Sequence, residues 1–336
     1  MTELIKKLSS IDGTSGDEGA VRDFIISEID GFCDWSIDPL GNIIAFKKGK
    51  NHSVKKLLVD AHTDEVGFII TGVTADGFLK FKNVGGIETA VMLSRQVRIN
   101  GKTNGVIGAK PVHLTHGDEG KSLPKAESLY IDIGAADRDE ALKYVSVGDR
   151  AVMCGEYCQN GETICSKALD DRIGCAVLIK LLKNESDYDF YATFSVQEEV
   201  GLRGARTAAY TVDPQAAIML EATTAADIAD VPSEKAVCSL GKGVAVSFMD
   251  GTTVYDRAYY DAALSCGIKC QPKCAVTGGN NAGAVHLSRG GVRSLTLSVP
   301  CRYIHSASCV CDNGDISSAF ELARFMINGI CSGEIK

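Results

Sequence analysis

The chain has 336 residues, of which 45% are hydrophobic and 23% charged, with a formal net charge of -8. One large or two modest domains are expected at that length. The acidic balance speaks against a nucleic-acid partner, and no apolar run is long enough to span a bilayer. The start, Met1-Thr-Glu-Leu-Ile-Lys-Lys, lacks the apolar stretch of a signal peptide. The thirteen cysteines are scattered and odd in number. Together these features lead to the expectation of a cytoplasmic protein with reduced thiols.

In chain order, Thr2 to Ser9 reads as a short helix, and Gly13-Thr-Ser-Gly16 as a turn. Ser15 or Asp17 can cap the helix that follows, which carries Val21, Phe24, Ile25 and Ile29 on one face. Strands are expected over Trp35 to Asp38, Ile43 to Lys48 and Lys55 to Asp60. The last has an apolar centre and runs directly into Ala61-His62.

From about Gly72 to Cys165 the pattern changes to short β-like runs separated by Gly, Asp and Asn turns: Phe78 to Phe81, Gln96 to Ile99, Thr103 to Gly108, Ser128 to Asp132 and Arg150 to Met153. Only Asp137 to Tyr144 reads as helix there. The expectation is a β-rich insert, PDZ-like or barrel-like, over residues 71–163 of an α/β domain made of residues 1–70 and 164–336.

The α/β alternation then resumes. Helices are expected over Ile173 to Leu182, Gly204 to Tyr210, Tyr255 to Cys266, Asn281 to Ser288 and Ile316 to Ile330. Strands are expected over Asp189 to Val196, Ala216 to Leu220 and Ser294 to Val299. The fold class is therefore α/β, a mixed or parallel sheet covered by helices. Cys266, Cys270 and Cys274 recur every four residues, but Pro272 interrupts any helix, and Cys309-Val-Cys311 has no matching pair. Both read as small packing residues rather than a zinc cluster.

Polar residues gather where apolar elements end: His62, Asp64, Asp170, Glu198, Glu199, Glu221 and His305. Carboxylates are almost never buried unless paired or bound to metal. Each signal alone has a bland explanation. A single His after a strand is usually structural, Glu-Glu usually lies on a solvated face, and Asp-Asp-Arg often starts a helix. Their recurrence beside apolar elements points instead to a His and carboxylate set suited to Zn, Mn or Co. His62 and Asp64 project to one side if the strand continues, so Asp64 can hold the imidazole. Glu198 and Glu199 point to opposite sides of an extended chain, and a bend would let one bind metal while the other reaches a water. His52, His113, His116 and His286 lack such a setting.

At these residues the chain resembles the tetrahedral (TET-type) dinuclear metalloaminopeptidases, which include glutamyl and deblocking aminopeptidases and some members labelled endoglucanase or cellulase. The resemblance covers nearly the whole chain. It is carried by Asp60-Ala-His62-Thr-Asp64-Glu65-Val-Gly-Phe, Gly105-Val-Ile-Gly-Ala-Lys110-Pro, Leu129-Tyr-Ile-Asp-Ile-Gly134-Ala, Lys167-Ala-Leu-Asp170-Asp171-Arg172-Ile-Gly, Gln197-Glu198-Glu199-Val-Gly-Leu-Arg-Gly204-Ala and Val299-Pro-Cys-Arg302-Tyr-Ile-His305-Ser.

The resemblance implies two divalent metal ions per chain (Zn, Co or Mn). His62 and Glu221 would bind the first, Glu199 and His305 the second, and Asp170 would bridge them. Glu198 would act as general base on a bridging water, with Asp64 orienting His62. It further implies that the insert is a dimerisation domain, that dimers build a hollow tetrahedral dodecamer, and that the substrates are peptides cut at their N-termini. The chain departs from the family pattern at Glu221, where many members carry Asp, and at Gly278-Gly-Asn280-Asn281, where relatives often carry Thr-Asp. These departures, with Thr223, Thr224 and Asn281 as candidate pocket residues, bear on specificity more than on mechanism.

Two other readings stand beside this one. A glycoside hydrolase needs only two carboxylates, but it leaves His62 and His305 without a role. The single Trp also offers no aromatic sugar platform. A non-catalytic assembly protein would have no need for every ligand position to be filled.

Overall fold

The computed structural model describes residues 1–114 and 122–336, so His116 lies outside the described residues. The chain begins with α1 (Thr2–Ser10), α2 (Gly19–Ile29), β1 (Asp34–Ile37), β2 (Ile43–Lys47) and β3 (Leu57–His62). There follow β4 (Gly67–Val73), β5 (Leu79–Val84), α3 (Thr89–Met92), β6 (Gln96–Ile99), β7 (Thr103–Gly108), β8 (Tyr130–Asp132), α4 (Arg138–Ala141) and β9 (Arg150–Met153). The remainder comprises β10 (Cys158–Asn160), β11 (Thr163–Ser166), α5 (Leu169–Lys183), β12 (Phe190–Ser195), α6 (Arg203–Val212) and β13 (Ala216–Thr224). It ends with β14 (Val244–Val246), α7 (Arg257–Ser265), β15 (Cys270–Pro272), α8 (Ala282–Val285), β16 (Arg293–Arg302), β17 (Cys309–Asp312) and α9 (Asn313–Ser332).

Eleven strands form one mixed sheet in the order β1-β2-β12-β3-β13-β16-β17-β11-β10, with β14 on β16 and β15 on β14. Its centre is parallel: β12 with β3, β3 with β13, and β13 with β16. The flanks pair antiparallel. All six residues of β3 are buried, as happens only when both faces of a strand are covered. The cover comes from α5, packed on β3 and β13 with α1 and α9 against it, and from α6 and α8, which meet each other and touch β12, β13 and β16. Thirteen of the fifteen residues of α5 are buried, which explains its nearly continuous apolar sequence.

The expected mixed α/β architecture is observed. The strands from Gly67 to Met153 close on themselves as a six-stranded barrel, β4-β5-β8-β7-β6-β9, and closure leaves no open sheet edge. The barrel has its own core, with Phe68 against Phe81 at 5.0 Å between ring centroids. Among the described residues no helix is long and apolar enough to cross a membrane.

Two features shape the C-terminal end of the parallel strands. First, β3 and β13 pair only as far as Asp60 and Met219. Beyond that register the strands part, and a crevice opens at their C-terminal ends, where open α/β sheets place ligands. Second, the expected helix at Ile173 begins earlier, at Leu169, with Asp170 and Asp171 in non-helical backbone and a cis peptide bond between them. Regular helix starts at Arg172.

Candidate metal centre

Each parallel strand delivers one part of the site at its C-terminal end. β3 ends on His62, β12 leads into Glu198 and Glu199, β13 carries Glu221, and β16 leads to His305. The N-terminal turn of α5 adds Asp170 and Asp171. Here the chain turns Glu198 and Glu199 off the strand line: Gln197 has φ 57, and the Glu198 carbonyl accepts from the Gly201 and Leu202 amides, both at 2.9 Å. The bend expected at the pair is thus a turn that begins one residue before it, at Gln197.

Asp170 lies between the two histidines. Its Oδ1 is 3.3 Å from His62 Nε2, and its Oδ2 is 3.4 Å from His305 Nε2. Glu221 Oε2 lies 3.7 Å from His62 Nε2 on one side, and Glu199 Oε1 lies 3.2 Å from His305 Nε2 on the other. The ring of His62 is oriented from behind, its Nδ1 donating to the Asp64 carbonyl at 3.1 Å with the Asp64 carboxylate at 3.4 Å. Nδ1 therefore carries a proton, and Nε2 is the atom that faces Asp170 and Glu221.

Asp64 has a further task. Its Oδ1 accepts from the Glu198 amide at 3.0 Å, and its Oδ2 accepts from the Glu199 amide at 3.1 Å and from the Ser15 hydroxyl at 2.6 Å. One buried carboxylate thus fixes the backbone that carries both glutamates.

The electrostatics show what the cluster lacks. Burial pushes the Glu198 carboxyl up to about 8; His62 opposes this, while Glu199, Asp64 and Asp170 add to it. Burial likewise holds Glu221 and Asp171 well above the usual carboxylate range. Asp170 is held below that range despite its burial, because His305 and His62 stand beside it. Burial lowers the His305 imidazole, but Asp170 and Glu199 outweigh it and raise the group to about 11. Glu221 Oε1 and Asp171 Oδ2 are buried without a hydrogen-bond partner. Such a set is short of positive charge, and divalent cations would supply it. Among the described residues, two groups have the geometry that could hold a metal ion: His62 with Asp171 and Glu221, and His62 with Asp170 and Glu199.

All seven site residues expected from the sequence gather here. Asp171 belongs to the cluster too and was not among them. Its signal was its place beside Asp170, which is also where a helix start puts aspartates. Gly174 makes its position possible: a Cβ there would come within 2.3 Å of Asp171 Oδ2, so only glycine lets that carboxylate fold over the helix start. A second unforeseen layer lies behind the site. Lys167 is paired with Glu65 at 2.5 Å, and Arg172 donates to the carbonyls of Thr63 at 3.0 Å and Ile11 at 2.9 Å.

The barrel also reaches the site. A Cβ on Gly85 would lie 3.3 Å from Glu199 Cβ, and one on Gly86 would lie 3.8 Å from His305 Nδ1. Gly85 also has φ +85, a second reason for glycine there.

In front of the centre lies a cavity of about 640 Å³. Thr223 and Thr224 line it, as expected for pocket residues. Asn281 does not: it is fully buried and donates to Asp60 Oδ2 at 2.7 Å and Ser195 Oγ at 2.8 Å, and Asn280 lines the cavity instead. Of the other histidines, His52 pairs with Asp189 at the surface at 2.7 Å, and the His286 ring meets the Ala282 carbonyl at 2.6 Å.

Comparison with known proteins finds aminopeptidases that match nearly the whole chain. A lysyl aminopeptidase of Pyrococcus furiosus is 31% identical over 97% of this chain and 96% of its own length. A glutamyl aminopeptidase of Lactococcus lactis is 31% identical over 98% and 96%. Among solved structures, aminopeptidase APDkam598 from the archaeon Desulfurococcus kamchatkensis superposes with a TM-score of 0.94 at 34% identity, covering 100% of this chain and 96% of that one. The TET1 peptidase of Pyrococcus horikoshii, which can assemble into a tetrahedron or a large octahedral shell, superposes with a TM-score of 0.83 at 34% identity over 96% and 97%. The model of the M42 glutamyl aminopeptidase family matches residues 41–322, and the chain belongs to that family.

Proposed function

We propose that the chain is a dinuclear metalloaminopeptidase that removes N-terminal residues from peptides. The observation that carries this reading is Asp170, whose two carboxylate oxygens each face a different histidine. His62 and Glu221 would hold one ion and His305 and Glu199 the other, with Asp170 between them. Bound there, divalent ions would activate a water and polarise the scissile carbonyl.

The chain's own residues do the rest. Glu198, next to the ligand Glu199 and itself outside the ligand set, takes a proton from the attacking water and returns it to the leaving amine. Glu198 holds that proton between the two transfers. Asp64 keeps Glu198 and Glu199 in register and orients His62. The carboxylates of the centre receive the free α-amino group of the substrate, which restricts cleavage to the N-terminus.

Beyond the single chain, the TET1 relative, which can assemble into a tetrahedron or a large octahedral shell, supports a closed assembly; in this chain, dimers would meet through the barrel and build a tetrahedral dodecamer. The thirteen free thiols fit a reducing, cytoplasmic setting. A glycoside hydrolase gives the two histidines nothing to do. Chelated protein reloaded with Zn, Mn or Co should cleave unblocked aminoacyl substrates and leave N-acetylated ones intact, with two ions bound per chain. Two bound ions with no cleavage of any unblocked substrate would refute the reading. Light scattering or native mass spectrometry should show twelve copies, and a stable monomer would refute the assembly.

A further inference from the structure

We propose that Cys158 and Cys165 form a thiol–disulfide exchange site, which closes to an intrachain disulfide when it meets a low-molecular-weight disulfide. This inference goes beyond the aminopeptidase reading and does not depend on it. All thirteen thiols are free, and among the described residues none belongs to a group placed to hold a metal ion. Two of them are exposed, Cys158 and Cys274. They differ in what stands beside them.

Cys158 opens β10, the last strand of the large sheet, and all three residues of that strand are exposed. Its direct partner across the hairpin is Cys165 of β11. Directly opposed residues of an antiparallel pair share one face of the sheet. Their Cα atoms stand about 4.5–5.5 Å apart, inside the range of about 4.4–6.8 Å that a disulfide spans. The register is held on both sides. A turn at Gly161, with φ 60, joins the two strands, and β11 also pairs with β17. The two sulfurs are close enough to interact: burial pushes the Cys165 thiol up to about 11, and Cys158 beside it adds to the rise.

The other thiols lack this combination. Cys274 follows β15, whose strand partners Val244, Ala245 and Val246 include no cysteine. Cys266 and Cys270 both meet the Ala263 carbonyl, at 3.1 and 3.4 Å, but both are half-buried. Cys301 and Cys309 are neighbours, and both are buried. Among the described residues, the β10–β11 pair alone joins an exposed thiol to a second one directly across a strand pair. Exchange begins at an accessible thiol, so Cys158 is the sulfur that attacks and Cys165 the one that closes the bond. The bond would tie the hairpin whose second strand leads to Lys167 and Asp170.

The step balances as thiol–disulfide exchange. The Cys158 thiolate attacks one sulfur of the small disulfide, the S–S bond breaks, and one small thiol leaves. Cys165 then gives its proton to solvent and attacks the Cys158 sulfur, and the second small thiol leaves. Two electrons pass from the protein to the small disulfide, and the chain loses two hydrogens. The raised value of Cys165 leaves little thiolate at neutral pH, so the second attack is the slower one. A mixed disulfide on Cys158 therefore comes first and gives way to the intrachain bond. In a reducing compartment such a bond is transient.

The test exposes native, metal-loaded protein to oxidised glutathione and then alkylates the remaining thiols. Peptide mass spectrometry should find glutathione on Cys158 first and the Cys158–Cys165 link later, and dithiothreitol should return both thiols. Cys165→Ser should hold glutathione on Cys158 without closing, and Cys158→Ser should leave Cys165 a free thiol, with circular dichroism confirming that each variant is folded. Both thiols still alkylated after the exposure would overturn the proposal. So would a first link at another pair, such as Cys266 with Cys270, or a Cys158–Cys165 link that forms only once urea has unfolded the chain. Because the readout is covalent, failure of the link leaves the aminopeptidase reading standing, and failure of peptide cleavage leaves the exchange site standing.

Discussion

Asp64→Asn tests how the centre is held. The substitution keeps the shape and removes one acceptor oxygen along with the charge. Asp64 now serves two amides on opposite oxygens, Glu198 at 3.0 Å and Glu199 at 3.1 Å. An asparagine has one oxygen and one NH2 group. The Ser15 hydroxyl can rotate to accept from that NH2, but a backbone amide cannot. In either orientation one of the two glutamate amides faces a donor and loses its partner. A charge-assisted hydrogen bond contributes about 1.5–3 kcal/mol, and an orphaned buried donor costs about 1–3 kcal/mol. These overlap, so a total of about 2–4 kcal/mol is expected. If the 196–202 segment yields, the loss appears in turnover as roughly 30- to 1,000-fold. If the rest of the fold restrains it, the loss appears in denaturant unfolding. Ser15→Ala removes one bond to the same carboxylate and leaves both amides satisfied, so it should cost less in both assays. Asp64→Asn within twofold of wild type in kcat/KM and unchanged in unfolding midpoint would refute the argument. So would Ser15→Ala proving the more damaging variant.

The same geometry sets further outcomes. Glu198→Gln should keep two ions per chain by elemental analysis while kcat falls by about 10²- to 10⁴-fold, the usual contribution of a positioned proton-transfer group. His305→Ala should lower the metal content from two ions toward one, since His62 and Glu221 remain. Removing metal by chelation should lower the unfolding temperature, because an ion at about 100 times its Kd adds about 2.7 kcal/mol to the folded state. Arg172→Met should destabilise the fold by about 1–3 kcal/mol in urea titration, since it leaves buried backbone carbonyls of Thr63 and Ile11 without their donor while Lys167 still pairs with Glu65. A pH effect is expected from Asp12, which is clamped by Arg98 at 2.7 Å. Burial raises its carboxyl, but Arg98 and Lys167 outweigh that and hold it below its usual value. Its contribution is therefore present above the unfolded value near 4 and is lost as pH falls through the lower folded value. Asp12→Asn should remove that part of the acid limb.

The sequence revealed the site because its residues stand where apolar runs stop. His62, Glu221 and the Glu198-Glu199 pair each follow or end a buried strand, and burying a carboxylate is costly enough to be noticed. What stayed hidden depends on contacts between distant segments. Asp171 looks like an ordinary helix-start aspartate until the fold brings His62 and Glu221 beside it. Ser15 reads as a helix cap, yet its hydroxyl serves Asp64, forty-nine positions away in the chain. β14 and β15 have three residues each, β14 lying on β16 and β15 on β14, so no local pattern announces them. Asn281 followed the opposite course: a plausible pocket residue by neighbourhood, it is used up in the core by Asp60 and Ser195.

The two glycines at the barrel rim carry a consequence for modularity. Gly85 and Gly86 belong to the barrel but press against Glu199 and His305, and Val66 and Met153 join them in enclosing that side of the centre. A version of the chain cut back at residue 66 and rejoined at 154 would keep every ligand and still leave one flank of the centre open to bulk solvent. The barrel therefore cannot be exchanged as a mere connector. Whatever is seated on its outer surface is joined, through the backbone at Gly85 and Gly86, to the side chains of Glu199 and His305.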